Sequence, residues 1–303
     1  MAPVNLVSVH PGRNYAKTAA LMSLLFVLLV IGGRAWGGTS GMLLFGAFGL
    51  VFNLGSYWFS DKIALMVHRA RPLPRDQAPE VHRIVEDLTR RAGMPMPRIY
   101  LIPTDTPNAF ATGRNPQHAA VAVTEGILSL LTPRELEGVL AHELSHVRNR
   151  DVLIATIAAA VAGLISTLGY IARWGALFGL GGSGDDNRRG GGLELIVWAL
   201  LAPIVALVIQ LAVSRSREYA ADASGAALCG DPEPLASALE KLERGAKAAP
   251  YPFGGPATAH LFIVSPLHGA MAGLMNLFST HPPLDKRIER LRAMRYAGRA
   301  FTR

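Results

Sequence analysis

Four long apolar runs constrain this chain more than any other feature of its sequence. They are Thr18–Gly33 (TAALMSLLFVLLVIGG), Gly41–Phe59 (GMLLFGAFGLVFNLGSYWF), Val152–Phe178 and Leu193–Val213. A helix needs roughly 20 apolar residues to cross a bilayer, and in lipid only helices and closed barrels satisfy their own backbone polar groups. Each run is therefore read as a spanning helix, and the breaks between them make two hairpins. The first run is taken as a span and not a cleaved signal peptide, because a second run follows within a few residues and no small-residue cleavage site follows it cleanly. The second run ends in Tyr57, Trp58 and Phe59, as expected at a headgroup boundary.

Composition agrees with this reading. Half the residues are hydrophobic and only 17% are charged, which excludes a disordered chain. Cys229 is the one cysteine, so an internal disulfide framework and a four-cysteine zinc site are both excluded. The formal charge is +8, from 30 basic and 22 acidic residues, and no nucleic-acid-binding motif accompanies that surplus. Basic residues cluster at Arg13 and Lys17, at Lys62, Arg69, Arg71 and Arg75, at Arg148 and Arg150, and at Arg215 and Arg217. Positive charge is retained on the cytoplasmic side of spans, which places both termini and the 61–151 segment in the cytoplasm. Arg173, Arg188 and Arg189 run against the trend, beside Asp185 and Asp186. The Gly179–Gly192 loop (GLGGSGDDNRRGGG) reads as a flexible linker.

The organisation expected is a cytoplasmic tail (1–17), a transmembrane hairpin (18–59), a first polar part (60–151), a second hairpin (152–213) and a second polar part (214–303). Neither polar part has a convincing core of its own, so the two should form one joint domain on the membrane surface. The fold class expected is mainly α with a small β-sheet. Pro72, Pro74 and Pro79 stiffen the entry to the first part, Glu80–Ala92 has helical spacing, and RIYLI within Pro97–Pro103 reads as a strand. Ala119–Thr124 reads as a second strand, ended by Glu125 and Gly126; it is either an edge strand, where it could pair with an extended substrate backbone, or an internal strand of a small sheet. Ala119, Val121 and Val123 belong to that strand, and Asn108, Ala109 and Phe110 are placed beside the same cleft.

The chemistry sits on one helix. Thr132, Pro133 and Glu135 form a helix start with a cap, a first-turn proline and a capping-box glutamate. The helix carries His142-Glu143-Leu144-Ser145-His146. Histidines four apart project from one helix face and can share a tetrahedral zinc ion, with Glu143 near the open position to take a proton from bound water. A metzincin-type third histidine is excluded, since the positions it requires are Asn149 and Val152. A carboxylate from a second helix remains. Glu218 and Asp222, four apart in SREYAADASGA, share a face; one can bind zinc while the other holds a ligand histidine by its second nitrogen. Asp151, Asp185, Asp186 and Glu194 are weaker choices, at a span end or in the flexible loop. A hairpin between Asp151 and Ser214 would return the Glu218 segment to the histidines. Tyr219, His281 and Arg287 are candidate oxyanion stabilisers. His260 and His268 are set aside as ligands, because four protein ligands would close the site to water.

With these residues in hand, the chain resembles the HtpX family of membrane zinc metallopeptidases, relatives of the prenyl-protein (CAAX) proteases. The motifs that carry the resemblance are PNAFATGR (Pro107–Arg114), VAVTEGIL (Val121–Leu128), HELSHVRNRD (His142–Asp151), SREYAADASGA (Ser216–Ala226) and FSTHPPLDKRIERL (Phe278–Leu291). It implies a zincin-type protease domain with one zinc ion per chain, bound by His142, His146 and Glu218. Glu143 would be the catalytic carboxylate, and Asp222 would support a ligand from behind. It further implies a multi-pass protein of the plasma (inner) membrane that degrades unfolded or damaged membrane proteins. The rival readings are a zinc-binding, chaperone-like membrane protein without proteolysis, an intramembrane protease, and a selective prenyl-protein protease. Arg148, Asn149 and Arg150 put the histidines at or above the surface, against the second. Four spans are few for an enclosed lipid-accessible chamber, against the third.

Overall fold

The computed structural model describes residues 11–152, 215–248, 263 and 282–300. Helix α1 (Pro11–Val67) is broken at Gly37 and Gly38, where Gly38 adopts φ 60 and ψ −141, a conformation that glycine tolerates. The chain reverses there. Gly33 and Gly41 face each other so closely that a Cβ on Gly33 would lie 2.5 Å from the Gly41 carbonyl oxygen. Farther from the turn, Gly49 lies against Leu29 and Phe26, and Asn53 Nδ2 donates to the Met22 carbonyl at 3.0 Å. These pairings define two antiparallel arms. One described helix, Gly37–Phe59, is long and apolar enough to cross a membrane, whereas Thr18–Arg34 is a shorter apolar helix. Leu43, Leu44, Val51, Leu54 and Trp58 are exposed along the longer arm, an apolar surface that water alone would not favour. The expected spans at Val152–Phe178 and Leu193–Val213 and the Gly179–Gly192 loop lie outside the described residues, Val152 apart.

The remaining elements form a mainly helical domain around a small mixed sheet. Strands β1 (Arg71–Pro72), β2 (Arg98–Ile102), β3 (Ala109–Thr112) and β4 (Ala120–Thr124) are ordered β1-β2-β4-β3. β4 runs parallel to β2, with Tyr100 opposite Ala122, and antiparallel to β3, with Phe110 opposite Ala122. Of the two alternatives for Ala119–Thr124, the edge strand with its substrate-pairing role is overturned and the internal strand is what forms. That strand is internal, Val121 and Val123 are fully buried, and Ala119 stands just before it. The edge facing the active-site helix is β3, which carries Ala109 and Phe110, with Asn108 just before it.

Helix α2 (Pro79–Ala92) buries Val81, Ile84, Val85 and Leu88 on one side, and Gly93 closes it at φ 64. Helix α3 (Glu125–Leu130) follows β4 directly. Helix α4 (Pro133–Asn149) starts as its sequence predicts: Thr132 accepts from the Glu135 N–H, and the Glu135 side chain accepts from the Thr132 N–H. Helices α5 (Arg215–Cys229), α6 (Glu233–Ala248) and α7 (Leu284–Ala300) come from the second polar part. One continuous core joins both parts: Val85, Leu88, Val121, Val139, Leu140 and Leu144 pack with Leu235, Leu239, Leu242 and Leu291. The joint domain expected from two coreless pieces is what forms.

α4 is the hub. At Gly138 a Cβ would lie 2.7 Å from the Leu235 nitrogen, so α6 meets α4 backbone to backbone. At Gly225 a Cβ would lie 3.0 Å from the His142 nitrogen, so α5 is drawn equally tightly against the turn that bears the first histidine.

Candidate active site

Helical spacing puts His142 and His146 one turn apart on α4, with their Nε2 atoms 3.2 Å from each other. α5 crosses at the same level and brings in Glu218, whose Oε1 lies 3.4 Å from His146 Nε2 and whose Oε2 lies 3.7 Å from His142 Nε2. The three donor atoms thus converge on one point. Metal–ligand bonds of 2.0–2.1 Å in a tetrahedron put neighbouring donors about 3.3–3.4 Å apart; the His–His and His146–Glu218 distances are near that value, and one donor atom from each of the three residues lies within 4.8 Å of the others.

Each imidazole is held from behind. His142 Nδ1 lies 2.9 Å from Asp222 Oδ1, and His146 Nδ1 lies 3.2 Å from Asp151 Oδ2. A ring that donates from Nδ1 presents the Nε2 lone pair forward. The carboxylates are held in turn. Arg287, fully buried on α7, donates from Nε and Nη2 to Asp222 at 2.9 and 2.7 Å. Arg217 Nη1 lies 3.7 Å from Asp151 Oδ1.

Four carboxylates (Glu143, Asp151, Glu218, Asp222) and two guanidiniums (Arg217, Arg287) are therefore buried together, with two negative charges in excess. A divalent cation would neutralise that excess, so the residues fit a metal in charge as well as in spacing. Without one, the site gathers protons. Burial raises the Glu143 pKa against the pull of both histidines. Burial would lower His146, but Glu218 and Asp151 override it and push it up to about 9. Asp222 behaves oppositely: burial would raise it, yet Arg287 and His142 hold it down at about 2, so it stays ionised.

Glu143 points to the sheet. Its Oε2 accepts from the Ala111 N–H at 3.0 Å, so that amide of β3 faces the site and not β4. Among the described residues, β3 has a strand neighbour on one side only.

Residues 75–295 match the family model described as Peptidase family M48. The chain belongs to peptidase family M48. Full-length relatives agree, and the resemblance read from the sequence holds. The chain is 55% identical to a Protease HtpX homolog of Syntrophobacter fumaroxidans, over 93% of this chain and 100% of that one. It is 52% identical to the Protease HtpX homolog of Pyrococcus furiosus, over 92% and 95%. The fold is similar to that in the crystal structure of S. mikatae Ste24p, with a TM-score of 0.53 and 19% identity; the match covers 92% of this chain and 65% of the Ste24p chain. As a member of M48, the chain is a metallopeptidase.

Against this M48 site the sequence-predicted residues sort clearly. His142, Glu143, His146, Glu218 and Asp222 come together. Arg287 reaches the same cluster, but its Nε and Nη2 are directed at Asp222, so it braces a support carboxylate. Tyr219 lies beside Glu218 in sequence, with its ring under the Arg290 guanidinium at 4.1 Å. His281 lies outside the described residues. Asn108 is buried at the start of β3, where its Oδ1 accepts from the Ile263 N–H. Sequence reasoning missed three participants: Asp151 as a support for His146, Arg217 behind it, and the Ala111 amide. The one sequence signal for Asp151 was an acid five residues after a metal-facing histidine, just past the helix end.

Proposed function

We propose that this chain is a membrane-integrated, zinc-dependent endopeptidase that hydrolyses peptide bonds of misfolded or damaged membrane proteins at the cytoplasmic face of the plasma (inner) membrane. The observation that carries the reading is the convergence of His142, His146 and Glu218, one donor atom of each within 4.8 Å of the others, with buried Glu143 beside them and aimed at an edge strand.

When bound, zinc would supply Lewis acidity, polarising the scissile carbonyl and making a water molecule acidic enough to attack near neutral pH. The protein's own groups do the rest. Glu143 accepts the proton of the attacking water and returns it to the departing amine nitrogen. The Ala111 amide fixes the Glu143 carboxylate for both transfers. Asp222 and Asp151, beside Nδ1 of His142 and His146, would hold the rings with Nε2 turned toward the metal position. An extended substrate backbone adds to the open side of β3, the edge role left open for Ala119–Thr124 in the sequence. Pairing through main-chain groups explains broad sequence tolerance, as suits a quality-control enzyme.

Membrane integration rests on the exposed apolar arm of Gly37–Phe59 and on the two apolar runs within 152–213. The test uses detergent-purified full-length chain, stripped of metal and titrated with zinc, with an unfolded model protein as substrate. Cleavage should return near one zinc per chain. Glu143→Gln should bind zinc normally and lose a factor of about 10²–10⁴ in kcat. Equal cleavage by the variant, or cleavage without zinc, would overturn the reading.

A further inference from the structure

Asp151 does not belong to the helix whose metal-facing histidine it touches. α4 ends at Asn149, and Arg150 takes a left-handed conformation at φ 60, ψ 26, with its N–H bonded back to the His146 and Val147 carbonyls. That turn folds Asp151 under the last turn of α4, which brings Oδ2 to 3.2 Å from His146 Nδ1. The carboxylate is buried. Its other oxygen faces Arg217, also buried, in the first turn of α5. Arg217 directly precedes Glu218, so one helical turn carries both a donor of the metal-fitting triad and the partner of Asp151.

Asp151 stands immediately before the apolar 152–213 run and Arg217 shortly after it, so this ion pair joins positions 66 residues apart in sequence, and the same carboxylate meets His146.

We propose that Asp151 is the positioning residue for His146, with the buried Arg217 guanidinium of α5 supporting the carboxylate through its charge. The inference rests on the zinc reading above. Asp222 and Arg287 do for His142 what Asp151 and Arg217 do for His146. The two pairs differ in their anchors: Arg287 links His142 to α7, whereas Arg217 links His146 to the first turn of α5.

The experiment compares detergent-purified wild-type chain with Asp151→Asn, Asp151→Glu and Arg217→Gln. Zinc affinity is measured by competition with a chromophoric chelator, ligand geometry by the visible spectrum of the cobalt(II)-substituted protein, and folding by thermal unfolding of the metal-free chain. Asp151→Asn should weaken zinc binding by about 10–100-fold and shift the cobalt spectrum, while the metal-free Tm changes by less than about 2 °C. Asp151→Glu should recover part of the affinity, and Arg217→Gln should shift both readouts in the same direction by a smaller amount. Wild-type affinity and an unchanged cobalt spectrum in Asp151→Asn would overturn the positioning role alone. A large drop in metal-free Tm with no recovery in Asp151→Glu would also overturn it, showing a merely structural role. A wild-type chain that binds no zinc would overturn the zinc reading and this inference with it.

Discussion

Gly225 is the position where α5 packs directly against the backbone of the first histidine. A Cβ placed there would stand 3.0 Å from the His142 nitrogen, 3.1 Å from its Cα and 3.3 Å from the Ala141 carbonyl carbon. Ordinary contact begins at 3.4 Å, so Gly225→Ala forces α5 and α4 apart by about 0.4 Å, backbone against backbone. Gly225 lies on the same face of α5 as Asp222 and Glu218, one and two turns earlier, so both carboxylates move with the helix. Metal–ligand distances tolerate about 0.2 Å, half the imposed shift. Zinc affinity should therefore fall by about 10–100-fold, or roughly 1.4–2.7 kcal/mol. Chelator competition on the purified full-length chain measures it. Gly230→Ala is the control: its φ of 78 makes alanine cost about 1 kcal/mol of stability, but a Cβ there meets open space, so affinity should stay at the wild-type level. A Gly225→Ala chain that binds zinc within about twofold of wild type would refute the claim that this contact sets the ligand spacing.

Two further outcomes follow from the titratable groups. Burial would raise the Glu135 carboxyl, but Lys241, Ser237 and Thr132 bring it down to about 2. A depressed carboxylate stabilises the fold above its unfolded pKa, near 4.3, and that contribution is lost as pH falls from there toward 2. Glu135→Ala should thus cost on the order of 1–2 kcal/mol at pH 6 to 7 in chemical denaturation, with the gap to wild type closing below about pH 4; a gap independent of pH would contradict it. In the metal-free chain His146, pushed up to about 9, holds a proton at pH 7 that the metal must displace. Zinc added to weakly buffered chain at pH 7 should release about one proton or more per metal bound, and no release would show that the donors are already bare.

Local features of this site were legible in the sequence because their physics is local. The capping box at Thr132 and Glu135 and the four-residue spacing of the histidines need only helical geometry, and both stand as read. Glu218 was reachable by one nonlocal step, the return of the chain after an apolar hairpin. Strand order was not reachable that way. Ala119–Thr124 was left open between edge and interior, although its residues are apolar on both faces, and a strand with no polar face is the kind that sits inside a sheet. Arg287 was singled out in the sequence, but its bracing of Asp222 depends on where α7 packs, which helical spacing alone does not give. Asp151 escaped because its placement needs a left-handed turn at Arg150, and arginine gives no hint of one.

The triad is also divided in time. His142, Glu143 and His146 precede the apolar 152–213 stretch, and Glu218 follows it, 72 residues after His146. During synthesis a chain that has emerged only through Asp151 carries two histidines and a base but no third donor. Closing a loop of that length costs about 4 kcal/mol of chain entropy, and the packing of α5 on α4 offsets it only once α5 exists. The ribosome therefore finishes the apolar segment before the cutting centre can assemble.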